Sequence, residues 1–336
     1  MSSGIVTNTS FQQMGALLKD AGSIVVLSHL RPDGDALGSQ LALSLSLRAL
    51  GKKVRVINQD GVPDSLAFLP GAGLIETPGQ VAAGPAIDPD LIIACDTASR
   101  KRVGDDVAQL IPDGVPWLNI DHHISNERYG EHYYIDPVSP ATGQIIYQFL
   151  RIENLPVDAE VSENLFVAIS TDTGSFQFPN TTAETFRAGA ELIDRGASVG
   201  HISQALYENY PLRRTLLLGE LLKVLEIGNN GQRASWAMTL EMTERLGIQA
   251  SDTDGLIDHI RSIEGVVVAA FFQEAEDGYV RASLRSKDPD VDVCAVCQKF
   301  NGGGHKLAAG VRMRASLREA QNKVLKAIDE ALERSH

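Results

Sequence analysis

Apolar positions in the first half of the chain come in short runs separated by stretches of helical spacing. Residues 23–28 (SIVVLS) read as a first strand, and 53–57 (KVRVI), 91–95 (LIIAC) and 117–120 (WLNI) as three more. The flat apolar character of 91–95 suits a strand covered on both faces. Residues 37–50 (LGSQLALSLSLRAL) read as a buried helix stopped by Gly51. The apolar stretch 165–170 fits either class. Alternation of this kind predicts an α/β fold with a largely parallel sheet. Residues 183–227 are helical in spacing, with a break at Tyr210 and Pro211. Beyond about Arg233, strands at 266–273 and 279–284 mix with helices, and the chain closes on an amphipathic helix over 317–334. The pattern predicts an N-terminal domain over 1–185, a helical linker over 186–228 and a smaller α/β domain over 229–336.

Polar residues interrupt the first domain at comparable places. The segment HLRPDGD, His29 to Asp35, follows the first strand; Asp96 follows the third; Asp121, His122 and His123 follow the fourth; Thr171, Asp172 and Gly174 follow the segment left open. In open α/β sheets, ligands collect beyond the carboxyl ends of the strands. Taken singly, an aspartate after a strand is a helix cap or a turn former. Taken together, four or more carboxylates and two histidines meeting in one place would repel each other without a cation. Mixed imidazole and carboxylate donors fit manganese, iron, cobalt or zinc better than magnesium. Two ions sharing a carboxylate would suit in-line displacement at phosphorus.

Charge narrows the substrate. A net charge of −13 argues against a protein that grips long duplex nucleic acid, which takes many cationic contacts to phosphate. It leaves room for a small phosphorylated ligand in a local basic pocket. The first residues carry no basic and apolar leader, no apolar run approaches a membrane span, and three cysteines make no disulfide framework, so a cytoplasmic chain is expected.

The motifs SHLRPDGDALGS, ACDTA, NIDHH and STDTGSF occur in the order expected of the DHH phosphoesterase superfamily, which the chain resembles. That superfamily includes RecJ nucleases, family II pyrophosphatases and cyclic dinucleotide phosphodiesterases. The segment ASLRSKDPDVDVCAVCQKFNGGGHKLAAG resembles the DHH-associated substrate-binding domain. Length and the RSK and GGGH signatures resemble the branch of nanoRNA oligoribonucleases and phosphoadenosine-phosphate phosphatases. The resemblance covers essentially the whole chain. It implies one metal held by His29, Asp33 and Asp96, and a second held by Asp35, Asp96, His122 and Asp172, with Asp96 bridging and manganese the expected ion. It implies that His123 faces the scissile phosphate, with Asp121 orienting the neighbouring histidine or turn. Gly38 and Ser39 are expected to open the first helix, where backbone N–H groups accept a phosphate or cap the turn.

In the second domain, Gly302, Gly303 and Gly304 let the backbone approach a ligand closely and form an anion nest. Arg285, Ser286, His305 and Lys306 would add contacts to a terminal phosphate. The family often carries a fourth glycine where this chain has Asn301. The expected activity is hydrolysis of short oligoribonucleotides to mononucleotides, with removal of the 3′-phosphate of adenosine 3′,5′-bisphosphate. A phosphate anchored a fixed distance from the metals would act as a ruler for short substrates. Alternatives are a cyclic dinucleotide phosphodiesterase and a nucleotide-binding regulator without turnover. No membrane partner is expected, and the resemblance is compatible with a homodimer.

Other features read as structural. Cys294 and Cys297 lie at helical spacing without a second pair and read as core residues. Arg100, Lys101 and Arg102 form a short basic loop, of which Arg102 is the one able to edge a substrate cleft. His132, His201, His259 and His336 read as surface or packing residues, and Trp117 as core.

Overall fold

A computed structural model describes residues 4–334. The chain divides into two compact units between Asn209 and Tyr210, a point inside the span read as a linker. No helix among the described residues is long and apolar enough to cross a membrane.

The strands of the first unit are β1 (Val6–Thr7), β2 (Ser23–Leu27), β3 (Lys53–Ile57), β4 (Ile75–Glu76), β5 (Leu91–Cys95), β6 (Trp117–Asp121) and β7 (His132–Ile135). They form one sheet in the order β1-β7-β6-β5-β2-β3-β4, parallel throughout except for β1 at the edge. Its helices are α1 (Phe11–Asp20), α2 (Gly34–Ala49), α3 (Pro78–Ala83), α4 (Asp105–Leu110), α5 (Thr142–Ile152), α6 (Ala159–Asp172), α7 (Ala183–Asp194) and α8 (Val199–Tyr207).

Period-two alternation sends the sheet's side chains into two layers. Ile24, Val26, Ile93 and Cys95 pack with α2, α5 and α6 in the larger core. Val25, Leu27, Ile92 and Ala94 pack with Val81 of α3 and Val107 of α4 on the other face. Burial on both faces explains why these strands read as continuous apolar runs. From β2 the chain winds outward through β3 and β4, and from β5 in the opposite direction through β6 and β7. The sheet therefore has its switch point between β2 and β5, where ligand crevices open in such folds.

The stretch 165–170 belongs to α6, a helix buried nearly all round, which is why its periodicity did not reveal its class. Its closest partner is α2. A Cβ on Gly38 would lie 2.4 Å from the Asn164 carbonyl oxygen, and one on Gly34 would lie 2.5 Å from Thr171 Oγ1, so these glycines let the two helices touch. This corrects the reading of Gly38 and Ser39. Asp33 is the N-cap and its side chain accepts from the Ala36 N–H; Gly38 and Ser39 therefore lie one turn inside the helix, where N–H groups are already bonded.

The second unit contains α9 (Leu212–Lys223), β8 (Glu226–Gly228), β9 (Arg233–Met238), α10 (Leu240–Leu246), α11 (Leu256–Arg261), β10 (Val268–Glu274), β11 (Tyr279–Ser286), α12 (Val293–Gln298), β12 (Gly303–His305), β13 (Ala308–Arg314) and α13 (Leu317–Arg334). Its sheet runs β12-β13-β11-β10-β9-β8. One face packs on α12 and α13 through Val296, Val324 and Ile328, the other on α9 and α11 through Leu217, Leu221 and Ile257. Cys297 is buried, as read, but Cys294 is partly exposed and its thiol donates to the Gly304 carbonyl at 3.1 Å. Trp117 is core. His201 is exposed and pairs with Glu163, His259 is exposed, His132 is half-buried, and His336 lies outside the described residues.

Candidate metal centre

Three parallel strand ends and one helix end converge beside the switch point. Leu27 of β2 pairs with Ala94 of β5, so two residues on, His29 meets Asp96, with Nε2 and Oδ2 3.4 Å apart. Asp96 takes a left-handed backbone, φ +52°, an uncommon conformation for a non-glycine residue and one that clusters at functional sites. Its N–H is held by the Ile120 carbonyl at 2.9 Å. That turn presents its two carboxylate oxygens in different directions. Oδ2 faces His29, whereas Oδ1 lies 3.6 Å from Nε2 of His122.

The remaining donors fill in around these two imidazoles. Asp33 Oδ1 lies 3.9 Å from His29 Nε2 while also capping α2, so cap and candidate ligand are one residue. Nε2 of His122 lies 3.3 Å from Asp172 Oδ2 and 3.8 Å from Asp35 Oδ2. His29, Asp33 and Asp96 thus form one group of donors within 4.8 Å of each other, and Asp35, His122 and Asp172 another. Adjacent donors on a cation with bonds of about 2.1 Å stand roughly 3.0–3.5 Å apart. The spacing, and the nitrogen-plus-oxygen donor set, fit divalent cations.

Electrostatics points the same way. Burial and the neighbouring charges of Asp96 and Asp172 push Asp35 well above the usual carboxylate range. Asp172 is likewise raised by burial and by Asp33 and Asp96, and it sits at the carboxyl end of α6, where the helix dipole disfavours an anion. Asp96 is held below the usual range: burial opposes its charge, but the hydrogen bond from His29 and the charges of three histidines outweigh that. Buried like charges at this density call for a positive counter-ion.

Side chains without motif status hold the donors in place. The N-terminus of α5 cradles Asp35, with Thr142 N–H donating to Oδ2 at 2.7 Å and Gly143 N–H to Oδ1 at 2.9 Å. Ser39 Oγ adds a third bond to Oδ1 at 3.0 Å, which is the role the structure gives that residue. Thr142 Oγ1 donates to Asp96 Oδ1 at 3.0 Å. The sequence offered no titratable signal for Thr142 or Gly143, since their contribution is mostly backbone N–H.

Asp121 ends β6 fully buried and stands apart from both donor groups. Its Oδ1 accepts from the His122 N–H at 2.8 Å and lies 2.7 Å from His123 Nδ1. Its Oδ2 accepts from Asn126 Nδ2 at 2.5 Å. Asn126 in turn donates to Asn119 Oδ1 at 2.8 Å, an amide chain that motif reading missed. Burial disfavours a charged His123, but the hydrogen bond to Asp121 and the charge of Asp96 prevail and raise it to about 9. Asp121 thus fixes the ring through Nδ1.

In the second unit, register sets Arg285 of β11 opposite Ala308 of β13, and Ala308 opposite His305 of β12. Directly paired residues share a sheet face, so Arg285 and His305 flank Ala308 on one side. Asn301 and Gly304 have φ of +62° and +138°, and a Cβ on Gly302 would lie 2.5 Å from the Gly310 carbonyl. Gly303 borders open space and, with Gly304 and His305, is exposed. Ser286 departs from its expected role. It is buried, its hydroxyl donates to the Asp288 carbonyl at 2.9 Å, and its N–H goes to Leu307. Lys306 lies in the turn between β12 and β13.

Residues 23–169 match the DHH family, N-terminal domain, and residues 237–334 match the DHHA1 domain. A Thermus thermophilus protein described as a bifunctional oligoribonuclease and PAP phosphatase NrnA is 33% identical, across 94% of this chain and 91% of its own length. A Bacillus subtilis protein of the same description is 32% identical, across 86% and 88%. The crystal structure of an exopolyphosphatase-related protein from Bacteroides fragilis shares the fold, with a TM-score of 0.90, 24% identity and 97% coverage of both chains. The motif order, the donor groups gathered around Asp96 and His122 and these likenesses lead to one conclusion: the chain belongs to the DHH family, its DHH domain followed by a DHHA1 domain.

Proposed function

We propose that this protein is a metal-dependent phosphoesterase that hydrolyses short oligoribonucleotides to mononucleotides and removes the 3′-phosphate of adenosine 3′,5′-bisphosphate. The observation that carries the reading is Asp96, whose two oxygens address two separate imidazole groups, His29 and His122. That arrangement suits a carboxylate shared by two cations. His29, Asp33 and Asp96 would hold one ion, and Asp35, Asp96, His122 and Asp172 the other, with manganese the ion proposed. Divalent cations bound there supply water activation and neutralise charge developing on phosphoryl oxygens.

The chain's own residues do the rest. His123, kept protonated by Asp121, presents Nε2 to the substrate, either stabilising charge or giving its proton to the leaving oxygen. Thr142, Gly143 and Ser39 keep Asp35 in place. Arg285 and His305, with the glycine turn 302–304, take a terminal phosphate of the substrate. The two relatives named as oligoribonucleases and PAP phosphatases support this choice of substrates. So does the acidic chain, whose charge disfavours long nucleic acid. A cytoplasmic location belongs to the same proposal.

The test is turnover of a 5′-phosphorylated dinucleotide, adenosine 3′,5′-bisphosphate and a cyclic dinucleotide by protein supplied with Mn²⁺. Cleavage of the first two, abolished by chelation and by Asp96→Asn, is the expected result. Dominance of the cyclic substrate in kcat/KM would make this a cyclic dinucleotide phosphodiesterase. Binding without any product would make it a regulator.

A further inference from the structure

Arg102 is the residue of the basic turn that the family motifs leave unused. The turn 100–103 (RKRV) is a short 3-10 helix between β5 and α4, and its three cations have different fates. The Arg100 guanidinium lies over the Trp117 ring, 4.4 Å from its centroid. Lys101 is exposed. Arg102 is also exposed, but its backbone is stitched to the metal-ligand loop: the Leu30 N–H donates to the Arg102 carbonyl at 2.7 Å. Its Nη2 lies 3.3 Å from His29 Nδ1.

That nitrogen is already spoken for. His29 turns Nε2 toward Asp33 and Asp96 and places Nδ1 2.8 Å from the Leu30 carbonyl. Coordination through Nε2 would leave the ring proton on Nδ1, where it can be donated to that carbonyl. A guanidinium has only donors, so Arg102 gains no bond from a protonated Nδ1. No carboxylate of the described residues forms an ion pair with it. The result is a cation fixed by its backbone beside a cluster of acids and imidazoles, with no carboxylate partner among the described residues.

We infer that Arg102 binds a phosphate oxygen of the nucleotide held at the metal centre, on the His29 side. The inference rests on the proposed function and adds a recognition element to it. A planar fork of donors suits a phosphate dianion or diester. It would also offset the acidic surroundings that an anionic substrate must enter.

The experiment compares the full-length wild type with Arg102→Ala, Arg102→Lys and Lys101→Ala. For each, Mn²⁺ affinity and binding of adenosine 5′-monophosphate to the Mn²⁺-loaded protein are measured by calorimetry, and KM is measured for the 5′-phosphorylated dinucleotide pApA. Loss of a charged hydrogen bond should weaken monophosphate binding and raise KM in Arg102→Ala by about tenfold to a hundredfold. Mn²⁺ affinity should stay within about twofold, Arg102→Lys should recover part of the loss, and Lys101→Ala should match the wild type. Unchanged monophosphate binding and KM in Arg102→Ala would overturn the inference. So would a parallel loss of Mn²⁺ affinity, which would make Arg102 a support for His29. Failure of the wild type to cleave any substrate would sink the proposed function alone, because monophosphate binding would still decide for or against the arginine. Failure of the wild type to bind the monophosphate would sink the inference itself.

Discussion

At the scale of single residues, the site is an arrangement of carboxylates given different tasks by their donors. Asp96 turns Oδ2 to His29 and Oδ1 to Thr142 and His122. Asp35 is tied by the α5 N-terminus. Asp121 receives three donors and faces a histidine, which makes it an orienting group. Asn126 should therefore matter through His123. Asn126→Ala is expected to lower kcat about tenfold to a hundredfold while leaving KM and Mn²⁺ affinity nearly unchanged; a change in metal affinity of the same size would point to collapse of the loop instead. The pH behaviour of His123 gives a second check. In metal-free protein its midpoint of about 9 lies above the ordinary value of about 6.5. Its bond to Asp121 thus stabilises the fold fully below about pH 6.5, and that contribution is lost as pH rises through about 9. Nitrogen-15 NMR of the imidazole should show that midpoint. Added Mg²⁺ or Zn²⁺ should lower it, because a cation cancels the Asp96 charge that helps raise it.

At the scale of elements, β2, β3, β5 and β6 were legible because burial on two faces leaves unbroken apolar runs. The short strands β1 and β4 were not, since two residues carry no alternation, and β7 was hidden by its half-buried tyrosines. The apolar run puts the start of α2 late, at Leu37, because the first turn after the Asp33 cap is polar and small and carries no apolar periodicity. The motif donors themselves were readable, and the structure brings His29, Asp33, Asp35, Asp96, His122 and Asp172 together. Thr142, Gly143, Asn119 and Asn126 were not, because backbone N–H groups and neutral amides leave no spacing pattern. The contact between α2 and α6 gives a prediction of its own. Alanine normally favours a helix interior over glycine by about 1 kcal/mol. At Gly38 the new methyl would meet the Asn164 carbonyl, so Gly38→Ala should instead destabilise the protein by about 1–3 kcal/mol. Urea denaturation measures the difference, and a stabilised variant would contradict the packing described.

At the scale of the whole molecule, each unit has its own cores, and the candidate cation donors all lie in the first. Mn²⁺ should therefore raise the unfolding temperature of the first unit, by an amount that grows with the logarithm of its concentration. The second unit should respond to phosphate-bearing ligands and not to metal. Scanning calorimetry with and without chelator separates these effects; an equal metal shift in both units would show them to unfold as one. Metal uptake should also release protons, since Asp35 and Asp172 are pushed toward their protonated forms. The apparent enthalpy of Mn²⁺ binding should then vary with the ionisation enthalpy of the buffer.

The glycines behind the centre bear on ion selectivity. A Cβ on Gly143 would lie 2.4 Å from Ala168 Cβ and 3.3 Å from Asp35 Oδ1, and Gly34 meets Thr171, next to Asp172, in the same way. The gap between the Asp35 and Asp172 carboxylates is thus gauged by how closely α2 and α5 press on the Thr171 and Ala168 side chains of α6 at these glycines. Preference for one ionic radius over another is then inherited from helix packing as much as from the chemistry of the donors, and it can drift in a chain that keeps every ligand.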